Sequence, residues 1–352
     1  MEGEVFLGYD KTMSDFFGLD LGRGSIKLVS LEKRGSVWEL GALGEVKSPK
    51  VDWISGSEAD LVSMGEALRA LVQETGIKTE KVVFSLPESE VISRLIPLPP
   101  MKESEISAAL RYEAETFVPY PMDQVQLDGE VVSKDESGRL LVFAVAARSE
   151  LIERFLRLMQ MAKLKALAIE PPAVALSRMV WQSTQYQEPV LLLDLGEKFS
   201  DVTISMGGQV YLTRAIPIGG ESFTRAISVN LGLDPQSAEE YKKAYGMEET
   251  ELEGKIKVAV SSVFASLAEE IKKVMESYRQ EWEKKVELLI LSGGGARLPG
   301  LSEELVRAIG FEVQVANPFL RVQTGKVQVP IDLKEEAPRF SLAVGLALRD
   351  LI

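Results

Sequence analysis

Two stretches of this chain could do chemistry together. Phe17-Gly18-Leu19-Asp20-Leu21-Gly22-Arg23-Gly24-Ser25 near the start and Leu192-Leu193-Asp194-Leu195-Gly196-Glu197-Lys198-Phe199-Ser200 past the middle are both apolar runs ending in Asp-Leu-Gly. An apolar run of that length is a buried strand, and Asp followed by Gly at its end is a tight turn presenting a carboxylate and free backbone amides. Amides hold an anion and carboxylates hold the water shell of a cation, so a matched pair across one cleft suits a phosphate bound with a metal ion. Either copy alone is also an ordinary β-turn; the duplication with matched flanks is what points to a site. A third loop, Leu289-Ile290-Leu291-Ser292-Gly293-Gly294-Gly295-Ala296-Arg297-Leu298, runs a strand into three glycines. There a flat ligand can press on bare backbone, although a plain flexible loop would suit three glycines too.

Composition narrows what such a site can do. The 352 residues are 45% hydrophobic, enough for two or more lobes with their own cores. A formal net charge of -13 argues against nucleic-acid backbone as the main ligand. The absence of cysteine excludes disulfides and thiol nucleophiles, and the absence of histidine removes the commonest general base and metal ligand. Catalysis would fall to carboxylates, Lys, Ser, Thr or a bound ion. No apolar stretch approaches the roughly 20 residues that span a bilayer, and Met1-Glu2-Gly3-Glu4 lacks the basic-then-apolar order of a secretory signal. A cytoplasmic location is expected, with residues 1–12 as a loose tail and Met13 as an alternative start.

The duplicated turns imply an α/β fold of two similar lobes. Residues 25–31 alternate polar and apolar and predict a second strand, hence a hairpin after the first turn. Helical spacing over 59–72 and a buried strand over 81–86, stopped by Pro87, complete a first lobe spanning 14–87. Between 88 and 148 the texture changes to a strand at 91–96, the rigid Pro97-Leu98-Pro99-Pro100, a helix from near Ser104 ending before Pro119, and strands near 126–132 and 140–146. This predicts a small α+β subdomain inserted into the first lobe, to which 149–188 returns. The second lobe, 189–335, has strands at 202–204 and 210–212 and a helical subdomain over 231–287. Within it Val260, Phe264, Leu267, Ile271, Val274, Tyr278 and Trp282 make the apolar stripe of a long helix at 257–287, a core face more than a partner surface. Residues 336–352 read as a core helix returning to the first lobe.

Taken in order as phosphate loop, phosphate loop and adenosine loop, these segments resemble the actin-like ATPase superfamily of actin, heat-shock chaperone ATPase domains, sugar kinases and FtsA. More narrowly, the chain resembles the PilM family of type IV pilus assembly proteins. Leu95-Ile96-Pro97-Leu98-Pro99-Pro100, Tyr112-Glu113-Ala114-Glu115 with Val118-Pro119-Tyr120-Pro121, and Leu212-Thr213-Arg214-Ala215-Ile216-Pro217-Ile218-Gly219-Gly220 carry that resemblance, along with Phe17-Gly18-Leu19-Asp20. It extends over nearly everything from Phe16 onward. The implied fold is the actin-like ATPase fold and the implied cofactors are ATP and Mg2+. Asp20 and Asp194 would be the metal-side carboxylates, and the amides of Gly22, Arg23, Gly24 and Ser25 would meet the β- and γ-phosphates. Lys27 would contact phosphate, and Gly196 and Ser200 would line the other wall. Glu170, before a proline, aligns with the position that places the attacking water and shares the catalytic assignment with Asp194. Glu239 with Lys242 or Lys243 would reach the ribose. Gly293, Gly294, Arg297 and Leu298 would sandwich the adenine, with the guanidinium stacking on the ring. Without the resemblance, Lys27 is equally a strand lysine, Glu170 a helix-start acid, and residues 237–246 a solvated helix.

One departure bears on activity. Actin-fold enzymes mostly carry Gly-Gly after the second Asp-x-Gly, where this chain has Glu197 and Lys198, so hydrolysis is expected to be slow or absent. The resemblance implies a cytoplasmic ATP-binding scaffold, peripheral to the inner membrane through a partner. That partner would be the N-terminal cytoplasmic peptide of a PilN-like membrane protein, extended and held by apolar anchors in a groove between the insert and the first lobe. Nucleotide would bias lobe closure and so partner affinity. Two other classes share the fold. A sugar or small-acid kinase needs an acid outside the phosphate loops to take a hydroxyl proton. An FtsA-like filament former is expected to end in a basic amphipathic helix, whereas residues 340–352 read as core.

Overall fold

The computed structural model describes residues 16–35, 37–325 and 331–349. Residues 1–12, Met13 and 350–352 lie outside them.

The chain opens with a meander, β1 (Phe17–Leu21), β2 (Ser25–Arg34) and β3 (Val37–Lys47), then α1 (Glu58–Thr75) and β4 (Lys81–Ser85). Next come β5 (Val91–Leu98), α2 (Glu103–Ala114), β6 (Val125–Lys134) and β7 (Leu140–Arg148), followed by α3 (Ser149–Met161), β8 (Lys165–Glu170) and α4 (Pro172–Thr184). A second meander, β9 (Val190–Leu195), β10 (Ser200–Met206) and β11 (Gln209–Ile216), leads to helices α5 (Gly220–Leu231), α6 (Pro235–Tyr245) and α7 (Lys255–Trp282). After β12 (Leu288–Ser292), α8 (Leu301–Ile309) and β13 (Glu312–Val315), the described chain closes with β14 (Val322–Gln323), α9 (Leu333–Glu336) and α10 (Ser341–Ala347).

The two large sheets repeat one plan. In the first, β3, β2 and β1 are antiparallel neighbours and β4 then β8 add in parallel on the far side of β1. In the second, β11, β10 and β9 are antiparallel and β12 then β13 add in parallel beyond β9. Strand order and direction therefore coincide over five strands, which is the duplication the two Asp-Leu-Gly segments announce. The short β14 extends only the first sheet, alongside β3. Between β4 and β8 lies a separate sheet in the order β5-β7-β6, covered by α2 and holding its own apolar cluster around Leu98, Leu110 and Val142.

Local sequence sets some element boundaries and packing sets others. Ser57 caps α1 in a capping box with Asp60, and Gly76 closes it in the left-handed conformation. Pro97, expected after the strand, lies inside β5, because β5 is an edge strand where a missing N–H costs no ladder bond. Helix α2 stops at Ala114 rather than just before Pro119; a tight turn follows in which Val118 N–H donates to the Ala114 carbonyl and Phe117 and Val118 fold onto the insert core. Helix α7 stops at Trp282 with Glu283 left-handed, and the Trp282 indole meets Tyr211 edge-on at 5.0 Å.

Each lobe has a core of its own, and a third cluster joins them. In it the outer faces of β2 and β3 meet α4, Leu192 of β9, Ile290 of β12 and α10. Helix α10 packs on β1, β2, β4 and α4. Its approach to β1 is so close that a Cβ at Gly18 would run into the Ala343 carbonyl and the Ala347 amide. Among the described residues no helix is long and apolar enough to cross a membrane.

Candidate functional site

The β1–β2 and β9–β10 hairpin turns face each other across a cleft of about 890 Å³. Both turns are built alike. Gly22 opens the first, and a Cβ there would meet the Ser25 carbonyl at 2.6 Å; Gly196 opens the second, where a Cβ would meet the Phe199 carbonyl at 3.0 Å. Ser48, just after β3, braces the first turn by donating from its hydroxyl to the Gly22 carbonyl and from its amide to the Gly24 carbonyl. The second turn is stapled from the other side, where Gly220 N–H donates to the Gly196 carbonyl at 2.9 Å and Glu221 N–H to the Glu197 carbonyl at 2.8 Å.

The same register makes the two acidic positions chemically different. Asp20 lies opposite Lys27 on β2, and Asp194 lies opposite Asp201 on β10. The Lys27 ammonium therefore sits 2.9 Å from the Asp20 carboxylate, both residues 8% exposed, so Lys27 is a cleft residue and not a solvated strand lysine. Asp194 accepts from the Ser292 hydroxyl at 2.7 Å, yet burial, reinforced by the charge on Asp20, pushes its carboxyl up to about 6. Asp201 is pushed well above the carboxylate range by burial and by Glu88, Asp194 and Asp20, and among the described residues its Oδ1 has no hydrogen-bond partner. Sequence reading missed Asp201. The available signal was its spacing, seven residues after Asp194 as Lys27 is seven after Asp20.

This donor set fits one kind of cation. Among the described residues no three acidic groups converge to ligate a metal by themselves. A hydrated Mg2+ that arrives with phosphate needs only one or two carboxylates. Asp20 and Asp194 line the cleft from the two facing turns and supply those two carboxylates, so the residues fit that ion.

The remaining lining separates into walls. Arg23, Gly24 and Ser25 line the first-lobe side with Lys47 and Lys50. On the helical side, Lys242 Nζ donates to the Gly220 carbonyl at 3.0 Å and to Thr224 at 2.9 Å, and lies 2.6 Å from Glu239. Lys243 pairs with the same carboxylate at 3.2 Å. At the third loop Gly293 has φ +81, and a Cβ there would strike the Leu195 carbonyl at 2.6 Å, so this glycine packs the loop against β9. Gly295 likewise packs on Leu195, and only Gly294 faces open space. Leu298 lines the same end, with Arg297 beside it. The edge of the Arg297 guanidinium is held by Glu336 at 2.8 Å, which leaves its planar face for a ring. Among the described residues eight lining side chains are cationic and six acidic, so this lining is net basic in a chain of net charge -13. That polarity suits an anion.

Two expected residues are elsewhere. Glu170 does not place a water in the cleft: it is fully buried, bound by both nitrogens of the Arg178 fork at 2.7 and 2.8 Å and by Arg349 at 2.7 Å. Its oxygens are saturated by guanidinium, which holds the carboxyl below its usual range despite burial. Ser200 is also fully buried, its hydroxyl donating to the Ile218 carbonyl, so it braces the loop before α5 and lines no cleft wall.

Glu88, at the start of the insert, links the lobes. It accepts from Thr213 of β11 at 2.9 Å and from the Ala173 amide of α4 at 3.4 Å, and burial pushes its carboxyl from 4.5 up to about 7. Ionisation thus favours the unfolded chain. The contribution is full below about pH 4.5 and is lost as pH rises through about 7. Glu88→Gln is expected to flatten the fall in stability between those limits and to leave the variant about 2–3 kcal/mol more stable relative to wild type at pH 8 than at pH 4. Urea titrations at both pH values test this; parallel curves for the two proteins would contradict it.

The family model described as type IV pilus assembly protein PilM matches residues 18–351. A solved PilM-PilN type IV pilus biogenesis complex is 27% identical, with a TM-score of 0.85 over 97% of this chain and 99% of that one. The cell division protein FtsA of Streptococcus pneumoniae is 22% identical over 349 residues, covering 86% of this chain and 75% of that protein. MreB 5 of Spiroplasma citri, solved bound to AMPPNP, is 12% identical with a TM-score of 0.53 and 94% of each chain covered. Together these give the fold as actin-like.

Proposed function

The chain belongs to the type IV pilus assembly protein PilM family, and from that premise we propose that it is an ATP-binding scaffold of a pilus inner-membrane assembly platform. The observation that carries the nucleotide half is the pair of matched hairpin turns facing one net-basic cleft. In this proposal the first-turn amides and Lys27 meet the phosphates, Asp20 and Asp194 face the metal side, and Gly294, Arg297 and Leu298 take the base. Bound Mg2+ supplies positive charge for the phosphate oxygens. Hydrolysis is slow or absent, because Glu170 is locked in an ion pair away from the cleft and Glu197 stands at the second turn.

The partner half rests on the family and on the similar PilM-PilN complex. We assign the N-terminal peptide of a PilN-like membrane protein to the insert. Its sheet has two edge strands, β5 and β6; Val131 on β6 is 42% exposed, and Tyr112 of α2 and Tyr120 after it are 72% and 42% exposed. Edge backbone supplies hydrogen bonds to an extended peptide and the aromatics supply anchors. Nucleotide then acts by contacting one lobe arrangement better than another. A fluorescent peptide with the partner's N-terminal sequence, titrated by anisotropy, is expected to lose about tenfold or more in affinity to a Tyr120→Ala/Val131→Glu variant. Unchanged binding would move the groove elsewhere.

A further inference from the structure

Glu197 occupies the tip of the second hairpin turn, and its carboxylate crosses to the other lobe. One oxygen lies 2.6 Å from the Lys50 ammonium, beyond β3 of the first lobe, and the other lies 3.7 Å from where a Cβ at Gly24 would stand. The backbone that carries this side chain is held in place. The Glu197 carbonyl accepts from Glu221 N–H, and Gly219 packs so closely on residues 197 and 198 that a Cβ there would fall 2.5 Å from the Glu197 oxygen. The bridge thus joins the second turn to the segment just after β3, whose Ser48 amide donates to the Gly24 carbonyl of the first turn, and in the binding mode proposed above the phosphate chain would end beside it.

We propose that Glu197 and Lys50 form a latch that discriminates nucleoside triphosphate from diphosphate, rejecting a terminal γ-phosphate until Lys50 transfers from the Glu197 carboxylate to it. The inference rests on the nucleotide-binding function proposed above and adds the specificity element. A diphosphate stops short of the bridge and leaves it intact. A triphosphate brings further negative charge against a carboxylate and must take that carboxylate's cation, so the two ligands leave the cleft in different states. The Lys50 side chain is 78% exposed and Glu197 28% exposed, so the bridge is weak enough to exchange partners without unfolding the turn. Because the bridge spans the two lobes, its exchange would give nucleotide identity a direct hold on lobe spacing.

Isothermal titration of wild type, Glu197→Gln and Lys50→Met with AMPPNP and with ADP, each with Mg2+, tests the latch. Wild type is expected to bind ADP at least as tightly as AMPPNP. Glu197→Gln is expected to tighten AMPPNP by about tenfold while moving ADP by less than about threefold, because only the third phosphate meets the carboxylate. Lys50→Met is expected to weaken AMPPNP selectively. Equal shifts for both nucleotides overturn the latch and leave nucleotide binding standing. Weaker AMPPNP binding by Glu197→Gln also overturns it, since the carboxylate would then be serving the cation. If wild type binds neither nucleotide, the latch and the nucleotide function fall together. Thermal melts of the variants confirm that they fold.

Discussion

Lys27→Met is expected to abolish measurable ATP binding and to destabilise the protein by about 3–5 kcal/mol, the cost of leaving a buried charge uncompensated. The residue sits 2.9 Å from Asp20, which is 8% exposed, and its charge also bears on Asp194. Without it, Asp20 and Asp194 face the phosphate site with no buried cation between them, and an incoming phosphate chain loses the ammonium held beside Asp20. The double variant Lys27→Met/Asp20→Asn separates the two effects. Removing the orphaned carboxylate is expected to restore most of the stability and none of the nucleotide affinity. Denaturant unfolding with parallel calorimetry reads both quantities. Full nucleotide affinity in Lys27→Met would place the phosphates away from the first turn.

Glu170→Gln is expected to have a comparable effect on stability and almost none on the cleft. Glu170 is fully buried and joins Arg178 of α4 to Arg349 beyond α10, with the Arg178 side chain 5% exposed and that of Arg349 10% exposed. A neutral amide leaves two guanidinium groups short of their counter-charge, which costs about 3–5 kcal/mol and loosens α10 from the first lobe. ATP affinity of the folded variant should change by less than about threefold, since no cleft group touches Glu170. A variant of normal stability with lost ATP hydrolysis would reverse this and return Glu170 to a catalytic role.

These two residues show what the sequence disclosed and what it withheld. The duplicated architecture was legible because each lobe opens with the same apolar run and the same glycine turn, and a strand, a tight turn and a second strand are local structures. Asp201 was within reach by the same route, at matched spacing after the second turn. Glu170 was misread because its partners are set by packing: Arg178 is nearly two helix turns into α4, but Arg349 is 179 residues away and arrives only when α10 docks. Lys50 was invisible for the same reason, meeting Glu197 across 147 residues and two lobes. Of the three consecutive glycines the chain could not say which packs and which is open. Gly293 and Gly295 are consumed by the approach of the loop to Leu195, and Gly294 alone is left for a ligand. Element ends followed tertiary contacts more than propensity, as where Phe117 and Val118 leave the helix to reach the insert core.

The central claim is that one magnesium nucleotide is gripped from both sides by the Gly22–Ser25 and Gly196–Phe199 turns. Calorimetric titration with ATP in the presence and absence of Mg2+, on wild type and on Asp194→Asn, tests it most directly. The predicted result is saturable binding of one ATP per chain in wild type, strengthened by Mg2+, with that Mg2+ dependence lost in Asp194→Asn. No heat at millimolar ATP under either condition, or a Mg2+ response identical in the two proteins, would contradict it.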